Sequence, residues 1–460
     1  MSVNERGPAQ AQRLYAQGVR LQQQGLLAQA ISSWRDALAF DSRHDDARYN
    51  LAVGLGASGD AIGAEASYRV LLSGSPSHCK ALYNLANLKM RQGDPAAAEP
   101  HYRRLLAADP GFTPGWINLA MARSAQQDPR EAESCLRRAL GLDPGNVGAH
   151  WNLAHLLLTS RRWPEAWREY EWRLRRPECP PPPVPARDWT PADTQARRIL
   201  LWNDQGMGDA LQFARYVPFL AARGHEVWLF VQDALKILLQ ATPGVAGVSG
   251  ASDPLPQVDA QAPLLSLPHR LDLPDPAASW PGAYVTARAP MRLPRRAGCR
   301  AVGLVWSSNP AHPNRILRDM PLRELGPLLE IDGIDWFGLQ VGAAAHDIAA
   351  AGLAGRVHDL SPQIRDFADT AAAVAALDLV ITVDTSMPHL VGAMGKPGWV
   401  MISAAREWRW AGHEAESLWY PSLRLFRQTI AGDWSGVVAT MAAALRSAID
   451  AGGIQAQRYG

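Results

Sequence analysis

Three short segments of this 460-residue chain gather side chains suited to holding an anion and moving a proton. The first is Gly206-Met207-Gly208-Asp209. Glycines after an apolar run let backbone approach a ligand, and a carboxylate is electrostatically favoured where a helix opens. Asp209 either caps that helix or serves as a general base for an acceptor hydroxyl. The second is Trp306-Ser307-Ser308-Asn309-Pro310, whose hydroxyls and amide suit a phosphate or sugar. Arg318 follows and can neutralise a leaving phosphate; Arg315 competes for that role, and a solvated surface arginine is the plainer alternative. The third is Asp384-Thr385-Ser386-Met387-Pro388-His389. Pro388 fits a first helical turn, Thr385 or Ser386 can cap it, and the amides of such a start form an anion site. His389 either donates to a phosphate oxygen or is a satisfied core histidine. Gln340, closing an apolar run from Ile334, joins Gly206, Gly208, Asn309, Asp384, Thr385 and Ser386 as the candidate donor-binding set.

The elements that position these segments read as strands alternating with helices. Arg198 to Trp202 is a short buried strand, Ala210 to Arg223 an amphipathic helix, His225 to Val231 a second strand and Asp233 to Gln240 a second helix. A basic, proline-bearing stretch, Ala289 to Arg300, marks a boundary, after which Ala301 to Trp306, Ile334 to Gln340, Leu379 to Val383 and Gly398 to Ile402 restart the alternation. The pattern predicts two Rossmann-like α/β domains, 192–297 and 298–460, facing a cleft, with ligands at the carboxyl ends of strands.

The first half obeys another period. Asn50, Asn84, Asn118 and Asn152 stand 34 residues apart, each followed by Leu-Ala, and Ala30, Ala64, Ala98, Ala132 and Ala166 keep the same phase. Rows of 34 from Ala11 place small residues at positions 8 and 20 and Trp34, Tyr68, Tyr102, Leu136 and Tyr170 at position 24. Gly25, Gly59 and Gly93 mark turns, and Pro76, Pro110 and Pro144 stop second helices. The fifth row loses the turn glycine and the terminal proline, and carries Arg173 at position 27. This pattern over 11–180 resembles the tetratricopeptide repeat, an α-solenoid of helical hairpins. The asparagines would edge the concave groove, where an amide can both donate to and accept from a peptide backbone, with Tyr49, Tyr83, Trp116 and Trp151 beside them; bonding within or between repeats is the alternative. Residues 177–191, PECPPPPVPARDWTP, form a proline-rich spacer in extended conformation.

Composition excludes several classes. A net charge of +2 gives no field for nucleic acid or anionic membrane. The four scattered cysteines form no CxxC pair, which argues against disulfides or zinc and fits a reducing, cytoplasmic setting. The opening residues lack the apolar core of a secretory signal, and no uncharged apolar stretch of about 18 residues predicts a membrane span.

The second half resembles the heptosyltransferase-like glycosyltransferases (family 9) and, more distantly, the O-GlcNAc transferases, through Gly206-Met207-Gly208-Asp209, Asp384-Thr385-Ser386 with His389, and Gly395-Lys396-Pro397. The stretch Trp408-Arg409-Trp410, Trp419-Tyr420-Pro421, Arg424 to Gln428 and Asp433-Trp434 is similar to repeat-bearing bacterial members. The resemblance implies a GT-B fold and inverting transfer from a nucleotide sugar to a protein acceptor such as flagellin or an adhesin. By it Asp209 corresponds to the base, 384–389 to the donor loop and Arg318 to the basic residue beside the diphosphate. It also implies that the asparagine ladder lies along the acceptor groove. No Asp-x-Asp triplet occurs, so the expectation is phosphate neutralisation by protein groups, with no metal and no cofactor beyond the donor. The alternatives are a non-catalytic repeat scaffold and a glycolipid or polysaccharide transferase.

Overall fold

The computed structural model of the chain describes residues 3–193, 195–310, 315–404 and 407–451. They fall into two compact units, Met1–Leu156 and Leu157–Gly460.

The first unit is helical throughout its described elements. The helices are α1 (Val3–Gln23), α2 (Leu27–Phe40), α3 (Asp45–Ala57), α4 (Ala61–Gly74), α5 (Cys79–Arg91), α6 (Pro95–Ala108), α7 (Thr113–Ala125) and α8 (Pro129–Leu142); α9 (Val147–Thr159) crosses the boundary. Each 34-residue row supplies a hairpin. Asp60, Asp94 and Asp128 cap the second helices by accepting from Gly63, Ala97 and Glu131 backbone N–H groups. The turn before each cap is left-handed at Gly25, Gly59 and Gly93 (φ 79°, 90° and 77°). Gln127 keeps the same turn without glycine at φ 64°. The row positions explain themselves in packing. Ala30, Ala64, Ala98 and Ala132 are essentially buried, and so are Trp34, Tyr68 and Tyr102. In the first row position 24 is the larger Trp34, and position 8 shrinks to Gly18, where a Cβ would lie 2.4 Å from Trp34 Nε1.

The second unit holds two parallel sheets. The first contains β1 (Arg187–Asp188), β2 (Arg198–Trp202), β3 (Glu226–Phe230), β4 (Val245–Ser249) and β5 (Ala260–Pro263) in the order β1-β5-β2-β3-β4. The second contains β6 (Arg300–Val305), β7 (Ile334–Gly338), β8 (Val357–Asp359), β9 (Leu379–Val383), β10 (Gly398–Ile402) and β11 (Leu423–Arg427) in the order β11-β10-β9-β6-β7-β8. Counted within its own lobe, that second order is the doubly wound 3-2-1-4-5-6 arrangement, whose switch point lies between β6 and β9. Leu200, Leu201, Ile381, Val383 and Val400 are fully buried, as strands covered on both faces require.

Two boundaries differ from expectation. The proline-rich run does not separate the units: its end, Arg187–Asp188, pairs with Ala260–Gln261 as an edge strand, and Trp189 is buried and donates its backbone N–H to Gln261 O. The fifth repeat also belongs partly to the second unit. Its second helix, α10 (Trp163–Tyr170), buries Trp167 against Phe213, Trp408 and Trp419 at ring-centre distances of 5.8, 5.6 and 6.4 Å. Trp167 Nε1 donates to Pro274 O at 2.9 Å. Aromatic burial on the lobes outweighs the repeat period here.

Gly18→Ala is expected to destabilise the chain by about 1–3 kcal/mol through overpacking on Trp34. Gly141→Ala, in α8 with open space around the new methyl, is expected to stabilise it by up to about 1 kcal/mol. Urea denaturation of the two variants checks the contrast.

Candidate functional site

The loops singled out by sequence leave the carboxyl ends of β2 and β9 and open helices that approach each other. After β2, Asn203 donates from Nδ2 to Gln205 O (2.8 Å) and Gly206 O (3.1 Å) and shapes the turn. Gly206 then caps α11 (Met207–Phe213), and Asp209 Oδ2 accepts from Gly206 N at 2.9 Å. After β9, Thr385 caps the helix Ser386–Ala393, its Oγ1 accepting from Met387 N at 3.1 Å. The two helix starts touch at Gly208, where a Cβ would stand 3.0 Å from His389 Cδ2 and 3.4 Å from Ser386 Cα. Glycine is favoured there by close approach, not by backbone dihedral.

His389 is buried, and its Nδ1 lies 3.0 Å from the Tyr420 hydroxyl. It stacks on Trp410 with ring centres 5.5 Å apart. Burial, and then the charges of Arg409, Arg215 and Arg318, hold its pKa well below the usual histidine value. His389 is therefore neutral near pH 7. The core-histidine reading describes its surroundings: it is buried and hydrogen-bonded, and it stands at the junction of the two loops. Tyr420 lies flat against its helix, since a Cβ at Gly392 would come within 2.3 Å of the tyrosine ring. Behind it, fully buried Arg215 lies 4.8 Å from the Tyr420 ring centre and 5.0 Å from that of Trp419, and donates to Trp419 O at 3.0 Å.

Arg318 reaches the third segment: its Nη1 lies 3.3 Å from Asp384 Oδ2. Asp384 Oδ1 accepts from Trp410 Nε1 at 2.8 Å. Arg315 pairs with Asp319 at 2.7 Å instead. Asp319 also takes the Ser307 hydroxyl (2.8 Å) and the Ser308 hydroxyl (2.7 Å), so these serines brace the loop after β6. Gln340 is buried and accepts through Oε1 from Trp306 N (3.2 Å) and Ser307 N (3.0 Å), which ties the ends of β6 and β7 together. Asn309 is exposed.

Sequence reasoning gave no role to two residues that matter. Arg409 pairs with Asp209 and with Glu407, and donates from Nε to Gln212 Oε1 at 2.6 Å. Burial opposes its charge, but Glu407 and Asp209 outweigh that and raise its pKa. An arginine between tryptophans, as in Trp408-Arg409-Trp410, was the available signal. Arg173 is fully buried in the first lobe. Its Nε donates to Asp204 Oδ2 at 2.7 Å and its Nη2 to Ser266 Oγ at 3.0 Å, filling the space beyond β2 and β5. The odd residue at position 27 of the fifth row thus fills the first sheet's switch point, between the ends of β2 and β5.

In the first unit the asparagines are half-buried on α3, α5, α7 and α9. Asn84 Nδ2 donates to Tyr49 OH at 2.9 Å, and Asn118 Nδ2 to Tyr83 OH at 3.1 Å and Asn87 Oδ1 at 2.8 Å. Asn50 and Asn152 occupy the same register on the flanking repeats. Asn84 and Asn118 therefore link neighbouring repeats. Among the described residues no group of three or more His, Cys, Asp or Glu is placed to hold a metal, and no helix is long and apolar enough to cross a membrane.

Residues 89–139 and 117–176 each match a model of the tetratricopeptide repeat. The helical half carries such repeats, a class that binds peptides or proteins. Protein FlbA of Caulobacter vibrioides is 27% identical over 332 residues, covering 64% of this chain and 54% of FlbA, so the chain spans about half the length of that relative. A match over 64% of 460 residues exceeds the first unit, Met1–Leu156, and extends into the second. Among solved structures, MamA from Desulfovibrio magneticus RS-1 is 17% identical with TM-score 0.34, covering 36% of this chain and 92% of its own. YrrB, described as a TPR protein with an unusual peptide-binding site, is 17% identical with TM-score 0.33, covering 35% and 84%.

His389 gives a pH test. Its folded pKa lies below its unfolded value, so below about pH 6.5 the unfolded chain takes up a proton that the folded chain refuses. Stability should fall as pH drops from 7.5 to 5.5, and His389→Gln should flatten that fall by up to about 1.4 kcal/mol per pH unit. Urea midpoints at the two pH values measure it.

Proposed function

We propose that the second unit is a glycosyltransferase of the two-lobed GT-B type and that the repeats recruit its polypeptide acceptor, in the cytoplasm. One observation carries the reading: loops from the carboxyl ends of two parallel sheets meet at Gly208, with Asp209 on one side and the helix start at Thr385–Ser386 on the other. That second start lies beyond β9, beside the switch point where doubly wound sheets take nucleotides. A nucleotide sugar placed there would set its phosphates toward the Ser386–Ala393 amides and Arg318. The match to FlbA, reaching beyond the repeats, is compatible with a shared second unit.

The residues then divide the chemistry. Asp209 takes the proton of the acceptor hydroxyl as that oxygen attacks the anomeric carbon. The bond from that carbon to the phosphate oxygen breaks, and the leaving nucleotide keeps the electron pair. Attack opposite the leaving group inverts the centre. Arg318 and neutral His389 stabilise the departing charge by hydrogen bonding, without a metal in the reading. Flagellin-like or adhesin-like chains are acceptors of the right kind for a repeat groove.

A second reading, a scaffold with a degenerate transferase fold, draws on the ion pairs Asp209–Arg409 and Asp384–Arg318, through which the site's charged groups satisfy one another. A nucleotide-release assay with UDP-, GDP-, ADP- and CMP-sugars separates the two. The transferase reading expects release from at least one donor, lowered about 10²–10⁴-fold by Asp209→Asn with the fold intact by circular dichroism. Neither release nor a thermal shift with any donor would establish the scaffold.

A further inference from the structure

One short turn, Glu407-Trp408-Arg409-Trp410, touches both halves of the crevice. Arg409 binds Asp209 after β2, while Trp410 donates to Asp384 after β9 at 2.8 Å and stacks on His389. The Arg409 guanidinium is held on three sides: by Asp209, by Glu407 at 2.7 Å and by Gln212 at 2.6 Å, with the Trp408 ring centre 3.9 Å away. Its side chain is only 12% exposed.

This arrangement is at odds with Asp209 acting as a base while no donor is bound. Both carboxylate oxygens are engaged, Oδ2 by the Gly206 N–H and Oδ1 by Arg409. The other charged or titratable groups near Asp209 are Glu407 across Arg409, His389 across Gly208, and Tyr170 with the Arg173–Asp204 pair. A diphosphate changes the balance. It presents several anionic oxygens in the geometry a guanidinium fork matches, and it adds negative charge beside a site that already holds Asp209, Glu407 and Asp384.

We propose that Arg409 is a shared ligand: it pairs with Asp209 in the donor-free protein and turns to the donor's diphosphate when this binds, releasing Asp209 to accept the acceptor's proton. The inference rests on the transferase reading above and deepens it. It makes donor binding the step that arms the base, so the donor binds first and hydroxyls meeting the empty site are not deprotonated. Asp209 and the diphosphate then compete for one cation, which gives the two residues opposite effects on donor affinity.

Isothermal titration of the full chain with pyrophosphate, UDP, GDP, ADP and CDP tests this. Arg409→Ala is expected to weaken affinity for the best probe by about tenfold or more, the scale of one charge-assisted contact. Arg409→Lys should recover part of that loss. Asp209→Asn should tighten binding several-fold while transfer is lost, and that tightening should disappear when Arg409 is also replaced by Ala, whereas simple relief of repulsion by Asp209 would persist in the double variant. Unchanged affinity in Asp209→Asn, or in a folded Arg409→Ala, would overturn the sharing while leaving the transferase reading standing. If the wild-type chain binds none of the probes, the donor reading itself fails, and the sharing with it.

Discussion

The missing side chain at Gly208 is the constraint on which the crevice depends. Two helices, one after the central strand β2 and one after β9, start so close together that a methyl at Gly208 would make a tight contact with His389. That proximity sets Asp209 one residue beyond the contact and buries His389 beneath it. It also brings Asp384 within the same short network, through Trp410 and Arg318. Helix starts concentrate unpaired N–H groups and positive potential, so two starts meeting at one point favour anions there.

The charges in this network are sheltered, and their balance follows from that. Removing an ion from water costs several kcal/mol, so buried charges appear in pairs or against aromatic faces. Arg173 takes Asp204 and Glu171; Arg409 takes Asp209 and Glu407; Arg215 donates to the Gln212 and Trp419 carbonyls and lies among Trp280, Tyr284, Trp419 and Tyr420. The tryptophan-rich second half serves this purpose. Its rings form low-dielectric walls that strengthen the remaining electrostatic contacts. The same rings receive Trp167 from the last repeat helix, so the array's final element is built into the α/β unit as structure.

Much of this was legible in the sequence where one local rule sufficed. The 34-residue phase placed the hairpins of the first unit, where position 8 is small and position 24 is large and buried. The strands at Leu379–Val383 and Gly398–Ile402 were read to the residue, because buried parallel strands are short uninterrupted apolar runs. Thr385 as an N-cap was also readable, since capping is local, whereas the helix near Asp209 begins earlier than expected, at Met207, with Gly206 as its cap and Asp209 in its first turn. What could not be read were partners set by tertiary folding. Arg173 looked like decay of a repeat and is a buried counter-ion for Asp204, 31 residues on. Arg409 meets Asp209 from 200 residues away. The serines after β6 looked like ligand donors and bind Asp319. The asparagine ladder was visible as a period, but its bonds to Tyr49 and Tyr83 depend on how neighbouring hairpins stack.

The central claim is that the two helix starts joined at Gly208 form one nucleotide site. Amide hydrogen exchange of the full chain, with and without UDP, GDP, ADP and CDP in turn, tests it most directly. The account predicts that at least one nucleotide slows exchange in peptides covering both 206–213 and 384–393. Slowing in neither segment with every nucleotide, or in only one of them, would contradict it.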